Sequence, residues 1–91
     1  MQFEIYMHSS RSLKDKRRII KSLIEKVKSK FKNLSVSEIG SQNLWKKSEI
    51  AVAIVSNDAK LVNSNLDLVL NYLKNNGSIE IIESNIEVLS I

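Results

Sequence analysis

Along this chain the apolar residues switch between a spacing of two and a spacing of 3.6, in an order that few folds accept. Over residues 2–8, Phe3, Ile5 and Met7 point one way and Gln2, Glu4, Tyr6 and His8 the other, which predicts a strand with one buried face. Residues 9–11 are a short loop. Ser12 is then placed as an N-cap, with Asp15 three residues on, where a carboxylate can reach back. The spacing of Leu13, Ile20, Leu23, Ile24, Val27 and Phe31 predicts an amphipathic helix over 12–32.

Residues 34–40 predict a weak strand, because Glu38 falls on the same face as Leu34 and Val36 and interrupts the alternation. Residues 40–43 (GSQN) are turn chemistry. Residues 49–55 (EIAVAIV) are apolar on both faces, which argues for a central strand. A second helix is expected over 58–75, capped by Ser56-Asn57-Asp58. Its core face would be Ala59, Val62, Leu66, Val69, Leu70 and Leu73, and Gly77 suits a left-handed stop. The last strand is expected over 79–89, with a bulge where the alternation slips between Ile81 and Ile82.

The order is therefore β-α-β-β-α-β. Two right-handed crossovers turn it into a ferredoxin-like α+β fold: a four-stranded antiparallel sheet with both helices on one face and the first and third strands in the middle. With 91 residues and no proline-rich or low-complexity linker, the chain reads as a single domain, 1–91. It contains no cysteine, so disulfides and thiolate metal sites are excluded. It shows neither a signal-peptide pattern nor an apolar run of the roughly 20 residues that a membrane span needs. The expectation is a cytoplasmic protein that makes no membrane contact.

Charge is where the sequence becomes specific. The net charge is +4. Ten of the fourteen basic residues lie between Arg11 and Lys32, opposed there only by Asp15 and Glu25, while the rest of the chain is acidic. With Leu13 set at zero and about 100° per residue, Lys14, Arg18, Lys21, Lys28 and Lys32 share one stripe beside the core stripe. Arg17 lies at its edge and Arg11 extends it into the preceding loop. Like charges at these spacings weaken a helix, and cations near its N-terminus oppose the helix dipole. Helix stability alone would not choose this pattern. A polyanion would, and RNA is the simplest. The bland alternative is a solvated lysine-rich face. No aromatic stacking pair or GXXG loop marks base-specific RNA reading, so contacts to phosphate backbone are expected.

Other residues have bland readings beside sharper ones. His8, the only histidine, reads as a surface strand-end residue rather than a general base. Trp45 precedes Lys46-Lys47 and could stack on a base, but covering a core edge is the commoner role. Asn57-Asp58 reads as a cap rather than a catalytic pair. Leu61, Leu68 and Tyr72 suggest an outer stripe on the second helix, suited to a homodimer. The open sheet face is another candidate for such contact.

The stretch 8–18 (HSSRSLKDKRR) resembles the Ser-Leu-Lys-(Asp/Glu)-Lys-Arg signature of the YlxP-like proteins, a bacterial family of unknown function. Ser37-Glu38, the stretch 42–45 (QNLW) and the stretch 51–59 (AVAIVSNDA) match its second half in order. The residues on the signature are Arg11, Ser12, Leu13, Lys14, Lys16, Arg17 and Arg18, then Trp45, Ser56, Asn57 and Asp58. Ser9-Ser10 stands where many relatives carry Pro-Gly. The resemblance implies a ferredoxin-like fold, no established enzyme activity and no cofactor. Its members are commonly encoded beside ribosome-maturation factors, which implies a role in ribosome biogenesis.

Three readings follow. The leading one is a non-catalytic accessory protein that binds RNA or a pre-ribosomal particle through Arg11, Lys14, Arg17, Arg18, Lys21 and Lys28, weighted toward Arg11–Lys21. The second is a protein-interaction module acting as a homodimer. The third, an enzyme, requires His8 and Asp58 to share a pocket.

Overall fold

The computed structural model describes residues 1–41, 43–77 and 79–87. Its elements are β1 (Gln2–Tyr6), α1 (Leu13–Lys30), β2 (Leu34–Gly40), β3 (Lys47–Ile54), α2 (Ala59–Lys74) and β4 (Glu80–Asn85). They build one sheet of order β2-β3-β1-β4, antiparallel throughout. This is the ferredoxin-like α+β arrangement, with β1 and β3 central as the two crossovers predict.

The pleat decides what is buried. Phe3 and Ile5 of β1 and Ile50 and Val52 of β3 point to one face, with Met7 just beyond β1. Ile20, Leu23 and Val27 of α1 and Val62, Leu66, Val69 and Leu73 of α2 meet them there in one core cluster. Burying each such side chain contributes roughly 1.5–3 kcal/mol before chain entropy is charged against it. The opposite face of β3 carries Ala51 and Ala53, which are partly or fully exposed. Its apolarity comes from small residues on an open face, not from a second covering layer.

Local chemistry sets the element ends. Ser12 caps α1, its Oγ accepting from the Asp15 N–H at 3.0 Å, while Asp15 accepts from the Arg11 N–H at 3.1 Å. Phe31 ends the helix and Asn33 turns left-handed at φ 62°. Asp58 caps α2 by accepting from the N–H groups of Lys60 and Leu61. Asp58→Ala is expected to cost about 1 kcal/mol of stability in urea unfolding, with the fold unchanged.

Several details depart from the periodicity. Gly77 is not left-handed. No described glycine is, and α2 closes instead through the Asn75 N–H on the Asn71 carbonyl and the Asn76 N–H on the Leu73 carbonyl. Tyr72 does not share the outer face of α2. It is half-buried, edge-on to Phe31 with ring centroids 5.7 Å apart, and the Lys30 ammonium lies 4.9 Å from its ring centre.

The bulge expected in β4 is present. Ile5 pairs with Ile81 and Glu4 with Glu83, which leaves Ile82 as the extra residue. The expected extension of this strand to residue 89 runs partly outside the described residues. A second bulge at Ile39 separates the Glu38–Ile50 and Gly40–Glu49 pairs. It lies at the end of β2, where the Glu49 carboxylate occupies the space that a Cβ on Gly40 would take, so a side chain there would displace that carboxylate.

Candidate nucleic-acid interface

α1 is rotated about its axis relative to the expectation. Its buried residues are Lys16, Ile20, Leu23 and Val27, and Leu13 is only half-buried. At about 100° per residue, the buried stripe centres roughly 50° from Leu13, on the side away from Lys14 and Lys21. The cationic stripe therefore does not lie beside the core. It occupies the crest of the helix, facing away from the sheet.

Arg11, Lys14, Arg17, Arg18, Lys21 and Lys28 are all exposed. Among the described residues, none of the six has a carboxylate within ion-pair distance. The ion pairs found there are Lys16–Glu38, Lys47–Glu4 and the contact of His8 with Glu80. Arg18 and Lys26 also line a groove of about 220 Å³ that runs past Ile19 and Ser22 toward Asn76 and Ile79.

Lys16 belongs to the same basic run and does something else. It is 2% exposed. Its Nζ lies 3.2 Å from Glu38 Oε2 and donates to the Ser41 carbonyl. Glu38 in turn accepts from the hydroxyl of Ser48, which is fully buried. Burying an ammonium is costly unless it is paired and hydrogen-bonded, and both conditions are met here. Glu38 thus does not break the alternation of β2. It sits on the inner face opposite Ile50, as Leu34 and Val36 sit opposite Ile54 and Val52, and its charge is answered by α1.

The same network ties down residues between β2 and β3. Lys16 holds Ser41 at one end. At the other end the fully buried Ser10 donates to the Trp45 carbonyl. The Lys46 ammonium donates to the His8 carbonyl at 2.7 Å, and the Met7 N–H donates to the Lys46 carbonyl at 2.7 Å. The end of β1, the start of α1 and the 41–46 loop are thereby joined into one end of the molecule. Trp45 does not cover the core edge there. It is 57% exposed, and Leu44 beside it is 51% exposed.

The outer sheet face has the opposite character. Glu4 pairs directly with Glu49 on one side and Glu83 on the other, forming an acidic row across three strands, relieved among the described residues by Lys47 Nζ at 3.5 Å from Glu4. Like charges so placed repel. Two copies meeting through this face would oppose two such rows, which counts against a homodimer formed there. On α2, Leu61 and Leu68 are exposed, but without Tyr72 the outer stripe shrinks to two leucines.

His8 and Asp58 are not brought together. β1 and β3 are antiparallel, so His8 follows the Tyr6–Lys47 end of the sheet, whereas Asp58 follows Ile54, beyond the Gln2–Ala51 end. His8 is exposed, 3.1 Å from Glu80 and edge-on to Tyr6 at 4.6 Å. Among the described residues, no three His, Asp or Glu side chains converge as a metal site needs. No helix of the described residues is long and apolar enough to cross a membrane.

A four-stranded antiparallel sheet, two helices on one of its faces and a cationic crest on the first helix define a small ferredoxin-like α+β protein. The chain belongs to a family described as "Protein of unknown function (DUF503)", whose model matches residues 1–86. It is similar to "Uncharacterized protein YlxP" of Bacillus subtilis (strain 168), with 34% identity over 77 residues, covering 85% of this chain and 83% of that protein. The YlxP-like signature now has a structural meaning. Its Ser12 and Asp15 are the helix cap, Lys16 is the buried tie, and Lys14, Arg17 and Arg18 are the exposed charges.

Proposed function

We propose that this chain is a non-catalytic accessory protein that binds RNA, as ribosomal RNA or a pre-ribosomal particle, through the phosphate backbone. The observation that carries this reading is the crest of α1: Arg11, Lys14, Arg17, Arg18, Lys21 and Lys28 exposed, with no carboxylate paired to any of them among the described residues. Cations at these spacings repel one another and the first of them oppose the helix dipole, so the arrangement weakens the helix unless an anion answers it.

The acidic row on the open sheet face supports the same reading from the other side. It repels a phosphate backbone and so restricts such a partner to the helical side. No groove of the crest presents the paired aromatic platforms of a sequence reader, so shape and phosphate spacing are what the site can recognise.

Cosedimentation with small ribosomal subunits tests the reading. The protein is expected in the subunit fraction at low salt and free at high salt, because each phosphate contact releases counterions. A protein that stays unbound at low salt would refute it.

A further inference from the structure

Ser41, Trp45 and Lys46, which lie between β2 and β3, are each tied to the start of the chain. Two of the ties come from buried polar side chains, Lys16 at Ser41 and Ser10 at Trp45, and both act on backbone carbonyls. A third tie runs from the Lys46 ammonium to the His8 carbonyl. Yet the loop's largest side chain, the indole of Trp45, is left 57% exposed. Among the described residues no ring packs on it and no cation lies over it. Apolar burial does not explain the placement. The tie from Ser10 sets the Trp45 backbone next to the residue that precedes Arg11, at the end of the molecule where the cationic crest begins.

We infer that Trp45 is a stacking platform for an unpaired base, so that this end of the molecule takes single-stranded RNA. The inference rests on the RNA-binding reading above and names the form of RNA. A flat, exposed indole beside a run of cations combines the two parts that single-strand binders use: charge that tracks the phosphates and a ring on which a base stacks. A duplex keeps its bases stacked on each other and offers no face to the indole. Holding the loop in advance reduces the ordering cost on binding. A single platform stacks any base, so the site discriminates by strandedness and not by sequence.

The test uses the intact chain, whose only tryptophan is Trp45, so that its emission reports on this position alone. The probes are a single-stranded oligoadenylate of roughly 12 nucleotides and an RNA duplex of the same length, a size within the range one such groove covers. The oligoadenylate is expected to quench the emission and the duplex to leave it unchanged. Trp45→Ala is expected to weaken oligoadenylate binding roughly tenfold, and Trp45→Phe to retain most of the affinity.

None of the ties uses the indole: Ser10 acts on the Trp45 carbonyl, Lys16 on the Ser41 carbonyl and Lys46 on the His8 carbonyl, so Trp45→Ala keeps them, and far-UV circular dichroism checks that the fold is kept. An affinity for oligoadenylate that Trp45→Ala leaves within about twofold would overturn the inference. So would equal binding of both probes without quenching. If both probes bind, and reversing Lys14, Arg18 and Lys21 to glutamate abolishes this while Trp45→Ala does nothing, stacking fails and phosphate binding stands. If neither probe binds at low salt, both readings fail.

Discussion

Lys16→Ala is expected to lower the unfolding free energy by about 3 kcal/mol, a large part of the stability of so small a domain. The substitution removes more than a methylene stem. It leaves the Glu38 carboxylate on the inner face of the sheet with, among the described residues, the Ser48 hydroxyl alone to answer it, and it removes the ammonium that donates to the Ser41 carbonyl. Breaking one side of a buried pair usually costs about 3–5 kcal/mol, because the remaining charge is stranded. The Glu38 side chain is 23% exposed and can draw on some solvent, which places the loss at the lower end of that range.

A second variant separates charge from packing. Lys16→Met combined with Glu38→Gln keeps most of the volume and gives Ser48 a neutral acceptor, and it should recover more than half of the loss. Urea unfolding followed by circular dichroism measures both. A Lys16→Ala variant within about 1 kcal/mol of the parent would mean that the pair is not holding this end together.

The Lys16 network also marks where the sequence could be read and where it could not. Element order, both helix N-caps and the β4 bulge follow from alternation and cap chemistry, which act over a few residues, and the central position of β1 and β3 follows from that order through the crossovers. The rotation of α1 does not, because an apolar stripe more than 100° wide can face the core at several angles. Leu13 and Phe31 suggested one angle, and the contact with β2 chose another. Lys16 falls outside the cationic stripe, and because lysines are rarely buried its spacing alone does not assign it to the core.

One signal did point to it. Lys16 lies four residues before Ile20 and seven before Leu23, on the core stripe, and Glu38 is the only charge on the inner face of β2. Two opposite charges, each on an apolar face, are the pattern of a buried pair. Nothing local joins residue 16 to residue 38, so the partnership becomes visible only once the helix lies on the strand. The ties from Ser10 and Lys46 to the far sides of their loops are likewise tertiary facts. They decide that Trp45 is held out in solvent and not tucked against the core.

Reversing Lys14, Arg18 and Lys21 together to glutamate is expected to reduce RNA affinity by several hundredfold at about 50 mM salt while leaving the fold intact. With single strands, each phosphate contact contributes about 0.7 to the slope of log affinity against log salt, so losing three should flatten that slope by about 2. At 50 mM, relative to 1 M, each contact is worth roughly a factor of eight, and three together give the expected loss. These three residues are exposed, four and three positions apart, and unpaired among the described residues, so no tertiary contact is broken with them. The new glutamates at 14 and 18 lie in the first turns, where the helix dipole favours negative charge, and the repulsion within the crest is relieved. The melting temperature should therefore hold or rise.

That opposition between binding and stability is what separates a functional ridge from a solvated surface. On a merely solvated face, the reversal would relieve the same repulsion but leave RNA binding and its salt response unchanged. Lys28→Glu is the internal control. It lies about 21 Å along α1 from Lys14, away from the 41–46 loop, and its loss should be well below that of any one of the three. Equal losses at Lys28 and Lys14 would spread the site along the whole helix and remove the reason for centring it on residues 11–21. Affinities measured by fluorescence anisotropy across a salt series decide between these outcomes.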